Sequence, residues 1–260
     1  MTDPRSGHVR LVVPCFQESR RIGGFLPALC AGMESLGGVD VLVVEDGGGG
    51  EEQSRLAAMI EDLRRVHPCL LPPLLLPGNL GKGGAVYSGW DHAGGAAWLA
   101  FVDADGSCTA AEVARLIGLA RQESTPPRAL FASRIKMLGR KIDRRWRRHL
   151  LGRIYATLVS ELLHIPVYDS QCGLKLVPAA AFEGIKPLLS IQGFAFDVEL
   201  LLALLRGGCQ VLEVPIDWHE TPGGKVRLVR DSIQMARDIF AIRRAAARSP
   251  AWRNLRANDP

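Results

Sequence analysis

Two aspartates separated by one residue follow an apolar segment near the middle of the chain. Asp103 and Asp105 come directly after residues 96–102 (AAWLAFV). Two ionised carboxylates at this spacing repel each other unless a cation lies between them. Mg²⁺ binds one or two protein carboxylates and completes its shell with phosphate oxygens and water. The pattern therefore favours a divalent metal that holds a phosphorylated ligand, although two aspartates in a turn before a helix have the same sequence.

Three further polar segments have compositions that suit parts of a nucleotide. Residues 14–18 (PCFQE) offer a proline, an aromatic ring and an acid to a flat base and its ribose. Residues 45–50 (EDGGGG) place an acid before flexible backbone, but they do not complete a GxGxxG motif. Residues 78–84 (GNLGKGG) put a lysine among glycines, where the backbone approaches phosphate closely, without forming a Walker A loop. Each segment alone also fits an ordinary turn. Together the four suit one ligand, a metal-bound nucleoside diphosphate with a leaving group.

The elements that must position these segments alternate between strands and helices. Apolar runs predict strands at 9–14, 39–45, 96–102, 130–133 and 210–216. Helical spacing and a Thr-x-x-Glu capping box predict helices at 22–36, 51–66, 82–93, 109–122, 150–163, 196–205 and 231–248. The alternation predicts an α/β fold with a single, mostly parallel central sheet and helices on both faces. Ligands bind beyond the carboxyl ends of the strands in such sheets, so we expect the four polar segments to meet there.

Composition excludes several classes of protein. The chain has 260 residues, of which 47% are hydrophobic and 23% charged, as in globular proteins and unlike disordered ones. No uncharged apolar run is long enough for a transmembrane helix, and the first residues do not resemble a signal peptide. The six cysteines lack a CxxC pair, so we interpret them as thiols of a reducing compartment. We expect one domain over residues 1–248 and a flexible tail at 249–260.

Two basic stretches stand out from an otherwise acidic chain. Residues 140–153 carry a net charge of +6 and residues 225–256 carry +7, so the rest carries −8 of a total of +5. The first stretch contains Trp146 and continues into an apolar helical segment, a combination that suits peripheral membrane contact through residues 140–163. A solvated helix face has the same pattern, and nucleic-acid binding is the least favoured interpretation. We expect no nucleic-acid partner, and the oligomeric state is open.

Seven motifs, in order, resemble those of the family 2 inverting glycosyltransferases of the GT-A fold. They are VVPCFQESRRI, VVEDGGGG, GNLGKGGAVYSGW, DADGSCTAAEV, DSQCGLKL, GFAFDVELL and EVPIDWHETPGGKVRLVRDSIQMARDI. The resemblance covers about residues 9–243. Within the family, the sequence resembles in particular the dolichyl-phosphate (polyprenyl-phosphate) β-glucosyltransferases and mannose synthases. It implies a nucleotide-sugar half at about 9–123 and an acceptor half at about 128–248.

The resemblance also implies a role for individual residues. It assigns the donor nucleotide sugar to Pro14, Phe16, Glu18, Asp46, Lys82, Asp103, Trp218 and Lys225. It assigns Mg²⁺ or Mn²⁺ to Asp103 and Asp105, with Ser107 and His219 as further ligands. It assigns the acceptor and sugar pocket, and with it catalysis, to Asp169, Gln171 and Asp197. From the residues alone, Trp218 fits a core position and Asp197 a helix surface.

The activity that the resemblance implies is metal-dependent transfer of a hexose, with inversion, from a nucleotide sugar of the UDP-glucose or GDP-mannose type to a polyprenyl phosphate. A phosphate acceptor is largely dianionic at pH 7 and needs little help from a base. A hydroxyl acceptor requires a carboxylate base, for which Asp169 and Asp197 are the candidates. Two alternatives are a sugar-phosphate nucleotidyltransferase and a non-catalytic membrane or nucleic-acid binding module on a degenerate transferase fold. The expected location is the cytoplasm, including the inner face of the membrane.

Overall fold

A mixed sheet of seven strands forms the centre of the fold. The computed structural model describes residues 7–122, 127–135, 137–143, 146–165, 167–221 and 228–255. The strands of the sheet are β1 (Val9–Cys15), β2 (Val39–Glu45), β3 (Leu74–Leu75), β4 (Trp98–Val102), β5 (Ala129–Ser133), β7 (Leu174–Pro178) and β8 (Val211–Pro215). Their order across the sheet is β3-β2-β1-β4-β7-β5-β8. A separate two-stranded sheet pairs β6 (Ile142–Asp143) with β9 (Trp218–His219).

Helices cover both faces of the central sheet. They are α1 (Ser19–Leu36), α2 (Gly50–Arg64), α3 (Lys82–Asp91), α4 (Ala110–Gln122), α5 (Trp146–Leu163), α6 (Ala179–Ile185), α7 (Phe196–Arg206), α8 (Leu228–Arg248) and α9 (Pro250–Asn254). Helices α1, α2 and α4 bury their apolar side chains against one face, and α3, α6 and α7 pack against the other. Strand β1 serves both layers, because Leu11 and Val13 enter the first core and Val12 enters the second. The predicted α/β fold is confirmed.

Strand β7 runs antiparallel to both of its neighbours. Val102, at the end of β4, pairs with Leu174, at the start of β7. Residues 169–173 precede β7, and they therefore lie at the edge where the carboxyl ends of the parallel strands meet. This strand was not among those predicted, yet it brings the DSQCG segment to the same edge as Asp103.

Helix α4 begins with half of the predicted capping box. The Thr109 hydroxyl accepts a hydrogen bond from the Glu112 backbone N–H at 3.3 Å, as a helix N-cap does. The Glu112 carboxylate pairs with Arg115 at 2.6 Å and with Arg140 at 3.0 Å. The second half of the box is therefore replaced by ion pairs, which fix the start of the first basic stretch to α4.

Within the segment 249–260, expected to be a flexible tail, residues 250–254 form α9. Trp252 is only 2% exposed, and its ring lies 5.5 Å from the Arg206 guanidinium. The apolar area of a buried tryptophan accounts for the order of this helix. The six cysteines are free thiols, as expected. Within the described ranges, no helix has the length and apolar character needed to cross a membrane.

Candidate active site

A cleft of about 880 Å³ opens where β1, β2 and β4 end. Its walls contain seven of the predicted site residues: Pro14, Phe16, Glu18, Asp46, Lys82, Asp103 and Asp105. The structure therefore brings the four polar segments together at one edge of the sheet. The walls also contain residues to which the sequence analysis gave no role, among them Asn79, Gly81, Gly193, Phe194 and Asp231. All five belong to motifs quoted above, so position within a motif was the signal that could have identified them.

Asp46 fastens the glycine-rich loop to the end of β2. Its two carboxylate oxygens accept hydrogen bonds from the backbone N–H groups of Leu80, at 2.7 Å, and Gly81, at 2.9 Å. Burial raises the pKa of Asp46, and these two hydrogen bonds offset only part of that rise. Gly47 has a φ of 69°, and a Cβ there would overlap the backbone of Gly78. Asp46 thus shapes the cleft, and its predicted contact with the nucleoside stays a prediction.

Glu45, the acid that precedes Asp46, is fully buried and does not line the cleft. It accepts hydrogen bonds from the Gly48 backbone N–H at 2.7 Å and from Gln53 Nε2 at 3.0 Å. These bonds hold the turn between β2 and α2. Of the two neighbouring acids, Glu45 supports the turn and Asp46 reaches the cleft wall.

Lys82 and Asp103 form an ion pair inside the cleft, with 2.7 Å between Nζ and Oδ1. Burial lowers the pKa of Lys82, but the charges of Asp103 and Asp197 more than offset that effect, so the net shift is upward. The lysine is therefore a cation at neutral pH. It stands at the first residue of α3, beside the helix N-terminus, which adds to the positive potential of this wall.

The donor atoms of Asp103 and Asp105 are hard carboxylate oxygens, which fit Mg²⁺ or Mn²⁺. Among the residues that the structure describes, no three His, Cys, Asp or Glu side chains form a metal cluster. Ser107 is buried, and its hydroxyl lies 3.4 Å from the Thr221 hydroxyl. His219 is exposed, and its backbone N–H donates to the Ser107 carbonyl at 3.1 Å. Two carboxylates fit an ion that takes its other ligands from phosphate and water, and ligation by Ser107 or His219 stays a prediction.

The guanidinium of Arg134 holds Asp169, which lies in the DSQCG segment before β7. Arg134 Nε and Nη2 donate to its two oxygens at 2.6 and 2.7 Å, and the Arg134 backbone N–H donates at 3.0 Å. Burial raises the pKa of Asp169, but Arg134 outweighs burial and holds that pKa well below its usual range. A carboxylate with so low a pKa is a weak base. The guanidinium of Arg134 also lies 5.5 Å from the ring of Trp218, which is buried in the core.

Gln171 joins the DSQCG segment to the wall of the cleft. Its Nε2 donates to the Phe194 carbonyl at 3.4 Å, and Phe194 lines the cleft. The loop that contains Phe194 is fixed in turn by Glu199, which accepts hydrogen bonds from the backbone of Ser190 and Ile191 at 2.8 Å. Gln171 is therefore placed next to the cleft, and its catalytic role stays a prediction.

Asp197 is buried in the first turn of α7, not at a helix surface. Its Oδ1 lies 2.7 Å from Nζ of Lys175. Burial raises the pKa of Asp197, and Lys175 and Lys82 offset only part of that rise. The sequence analysis gave Lys175 no role, although a lysine inside an apolar strand (LKLVP) was a signal for a buried partner. Lys225 lies outside the described residues.

Comparison with known proteins connects this cleft to one family. The sequence profile described as "Glycosyl transferase family 2" matches residues 11–182. The dolichyl-phosphate beta-glucosyltransferase of Saccharomyces cerevisiae is 32% identical over 247 residues, which cover 90% of this chain and 74% of the relative. Glycosyltransferase AglD of Haloferax volcanii is 31% identical over 238 residues, covering 89% of this chain and 36% of that protein.

Solved structures share the fold. Glucosyl-3-phosphoglycerate synthase of M. tuberculosis superposes with a TM-score of 0.65 at 16% identity, over 94% of this chain and 81% of that chain. Its complex with Mn²⁺, uridine-diphosphate and phosphoglyceric acid gives a TM-score of 0.62 at 15% identity, over 90% and 76% of the two chains. At this identity the likeness concerns the fold alone.

Proposed function

Since the chain belongs to glycosyl transferase family 2, we propose that it transfers a hexose, with inversion, from a nucleotide sugar to a polyprenyl phosphate. The observation that carries the proposal is the cleft that gathers the PCFQE segment, Asp46, Lys82 and the aspartate pair at one sheet edge. The name of the S. cerevisiae relative supports glucose as the sugar and a lipid phosphate as the acceptor. UDP-glucose is thus the first donor to test and GDP-mannose the second.

Asp103 and Asp105 are proposed to hold Mg²⁺ or Mn²⁺ against the donor diphosphate. Their carboxylate oxygens suit both ions, and the M. tuberculosis synthase of the same fold was solved with Mn²⁺ and uridine-diphosphate. When bound, the ion stabilises negative charge on the departing diphosphate. Lys82 supplies a second positive charge at the same place, since its Nζ is 2.7 Å from Asp103.

Pro14, Phe16 and Glu18 are proposed to bind the nucleoside. They line the cleft at and just after the end of β1, and a proline, an aromatic ring and an acid suit a flat base and its ribose. The hydrogen bonds of Asp46 to Leu80 and Gly81 keep the opposite loop in place. The donor would lie between these two walls, with its base toward Phe16 and its diphosphate toward Lys82.

The state of Asp169 favours a phosphate acceptor over a hydroxyl acceptor. A hydroxyl needs a base, and the carboxylate of Asp169 is engaged by Arg134 with its pKa held low. Asp197 is buried and paired with Lys175. A phosphate brings its own negative charge to the anomeric carbon, so neither residue has to remove a proton.

Residues 140–163 are proposed to contact the membrane from the cytoplasmic side. The turn before them supports this, because Leu138 is 99% exposed and Met137 is 51% exposed, close to the exposed cation Lys141. Apolar side chains beside cations suit the boundary between lipid headgroups and acyl chains. Vesicles with and without phosphatidylglycerol test the contact by flotation. We expect anionic vesicles to bind the protein and Leu138→Ser to weaken binding, whereas equal flotation with neutral vesicles would contradict it.

The donor is tested by thermal shift with UDP-glucose, GDP-mannose, UDP and GDP, each with and without Mn²⁺. We expect one nucleotide sugar to raise the Tm in the presence of Mn²⁺. Asp105→Ala should abolish that increase and leave the Tm of the unliganded protein near the wild-type value. The proposal fails if none of the nucleotide sugars raises the Tm, or if the Asp105→Ala protein responds as the wild type does.

A further inference from the structure

Lys175 is a lysine in the middle of the central sheet with an exposure of 0%. Its register partners are Phe101 of β4 and Phe131 of β5. Its Nζ lies 5.3 Å from the centre of the Phe101 ring and 5.0 Å from that of Phe131. Burying an ammonium group is costly unless an anion and hydrogen-bond acceptors compensate for the lost water. Lys175 therefore needs a buried anion.

That anion is Asp197, which is 2% exposed. Its Oδ1 lies 2.7 Å from Nζ of Lys175, and the same Nζ donates to the Cys172 carbonyl at 2.7 Å. Asp197 also stands in the first turn of α7, where the helix dipole favours a negative charge. The two charges form a neutral pair, buried between β7 and the first turn of α7.

A second ammonium group lies close to the same carboxylate. Lys82 Nζ lies 6.0 Å from the centre of the ring of Phe196, the residue before Asp197, and 5.3 Å from the Phe101 ring, which Lys175 Nζ also approaches. Burial lowers the pKa of Lys82, and the charges of Asp103 and then Asp197 raise it. Asp197 therefore attracts both lysines. Within the described part of the chain, however, the ion pairs join Lys175 to Asp197 and Lys82 to Asp103.

We infer that Lys175 is a positioning residue for donor binding: by neutralising Asp197, it leaves the Lys82 ammonium in the cleft, facing Asp103 and the donor diphosphate. Without Lys175, the buried Asp197 carboxylate would draw Lys82 inward, because an unpaired buried charge is strongly unfavourable. The inference rests on the proposed function, since it assigns the diphosphate to Lys82.

The test is calorimetric binding of UDP, GDP, UMP and GMP, with Mn²⁺ present, to four proteins. They are the wild type, Lys175→Met, the double variant Lys175→Met/Asp197→Asn and the control Lys186→Met. The control removes a lysine–aspartate pair of similar length, 2.6 Å to Asp91, at the surface. We expect Lys175→Met to weaken nucleoside diphosphate binding about tenfold, the loss expected for a displaced charged partner. Binding of the monophosphate should change little.

The double variant tests whether the loss of affinity comes from an unpaired Asp197. An asparagine at position 197 no longer competes for Lys82, so we expect diphosphate affinity to return toward the wild-type value. The inference is overturned if Lys175→Met binds the diphosphate as tightly as the wild type, if mono- and diphosphate lose affinity equally, or if the double variant stays weak. If Lys175→Met does not fold, Lys175→Gln takes its place with the same expected and contradicting results, since it keeps a donor and loses the charge.

The wild-type measurement distinguishes failure of the proposed function from failure of the role of Lys175. Wild-type protein that binds neither UDP nor GDP would overturn the proposed function and, with it, the role of Lys175. Wild-type protein that binds a nucleoside diphosphate, together with an unaffected Lys175→Met variant, would overturn the role of Lys175 alone. The Lys186→Met control should match the wild type in both affinity and stability.

Discussion

Gly173 leaves the space that the carboxylate of Asp103 occupies. A Cβ at position 173 would overlap both Oδ2 and Cγ of Asp103. The backbones are also joined, because the Asp103 N–H donates to the Gly173 carbonyl at 2.9 Å. The contact exists because β7 is antiparallel and begins beside the end of β4. The DSQCG segment at 169–173 therefore fixes the position of a proposed metal ligand.

Gly173→Ala should displace the Asp103 carboxylate. A shift of about 1 Å in a catalytic group lowers turnover about 100-fold, which is the loss we expect for glycosyl transfer. The Mn²⁺-dependent increase in Tm with the donor should disappear as well. Gly118→Ala in α4 is the control, since nothing lies within 4 Å of its Cβ. That variant should be about 0.5–1 kcal/mol more stable with normal turnover. Wild-type turnover in Gly173→Ala would show that Asp103 has room to move.

Asp46→Asn should loosen the loop at residues 78–81. Both oxygens of Asp46 accept backbone hydrogen bonds, and an amide nitrogen cannot accept one. We expect the free energy of unfolding to fall by about 1–3 kcal/mol and donor affinity to fall with it. Urea unfolding and calorimetry measure the two quantities. Asp62→Asn, at an exposed position of α2, should change stability by less than about 0.5 kcal/mol. If Asp46→Asn matched the wild type in both unfolding free energy and donor affinity, the hydrogen bonds of Asp46 would not hold the loop in place.

Asp169→Asn should destabilise the protein in a pH-dependent way. The variant leaves Arg134, whose side chain is only 14% exposed, without its anion, which costs about 3–5 kcal/mol at neutral pH. The pKa of Asp169 in the folded protein lies below its unfolded value of about 3.9, so the ion pair contributes fully above that value. Its contribution is lost as the pH falls through the folded pKa. Urea unfolding from pH 7 downward should show the gap between wild type and variant shrinking below about pH 4. A difference in unfolding free energy that grows toward acid pH would contradict the stabilising role of the Asp169–Arg134 pair.

Trp252→Ala should destabilise the whole domain and not only its last turn. Removing a buried tryptophan side chain costs about 3–5 kcal/mol, because the cavity is not refilled completely. Thermal and urea unfolding should both show the loss as a single transition. Leu138→Ala, at an almost fully exposed site, should stay within about 0.5 kcal/mol of the wild type. If Trp252→Ala were as harmless as that control, α9 would not belong to the folded domain.

Much of the cleft could be predicted from the sequence, because its polar segments follow strands that are marked by apolar runs. Apolar runs such as 9–14 and 96–102 are local signals, and a parallel sheet brings their carboxyl ends to one edge. Asp46, Lys82, Asp103 and Asp105 were placed in the cleft by this argument and by the resemblance.

The positions of the DSQCG segment, Lys175 and Asp197 depend on long-range pairing that no local pattern reveals. The direction of β7 comes from its contacts with β4 and β5, and the lysine in its apolar run does not reveal which acid pairs with it. From its sequence Asp197 fits an exposed helix position, and only the fold brings its carboxylate within 2.7 Å of the Lys175 ammonium. Trp252 stands in a segment whose order depends on contacts with Arg206 and the core, not on its own helical propensity.

The central claim is tested most directly by transfer of radiolabelled glucose from UDP-glucose to polyprenyl phosphate in the presence of Mn²⁺, with GDP-mannose assayed in parallel. The account predicts label in an organic-extractable glycolipid with the wild-type protein. It predicts loss of that product with EDTA, and with Asp105→Ala protein that keeps the wild-type circular dichroism spectrum. No lipid-linked sugar from either donor, or full transfer by Asp105→Ala with EDTA present, would contradict it.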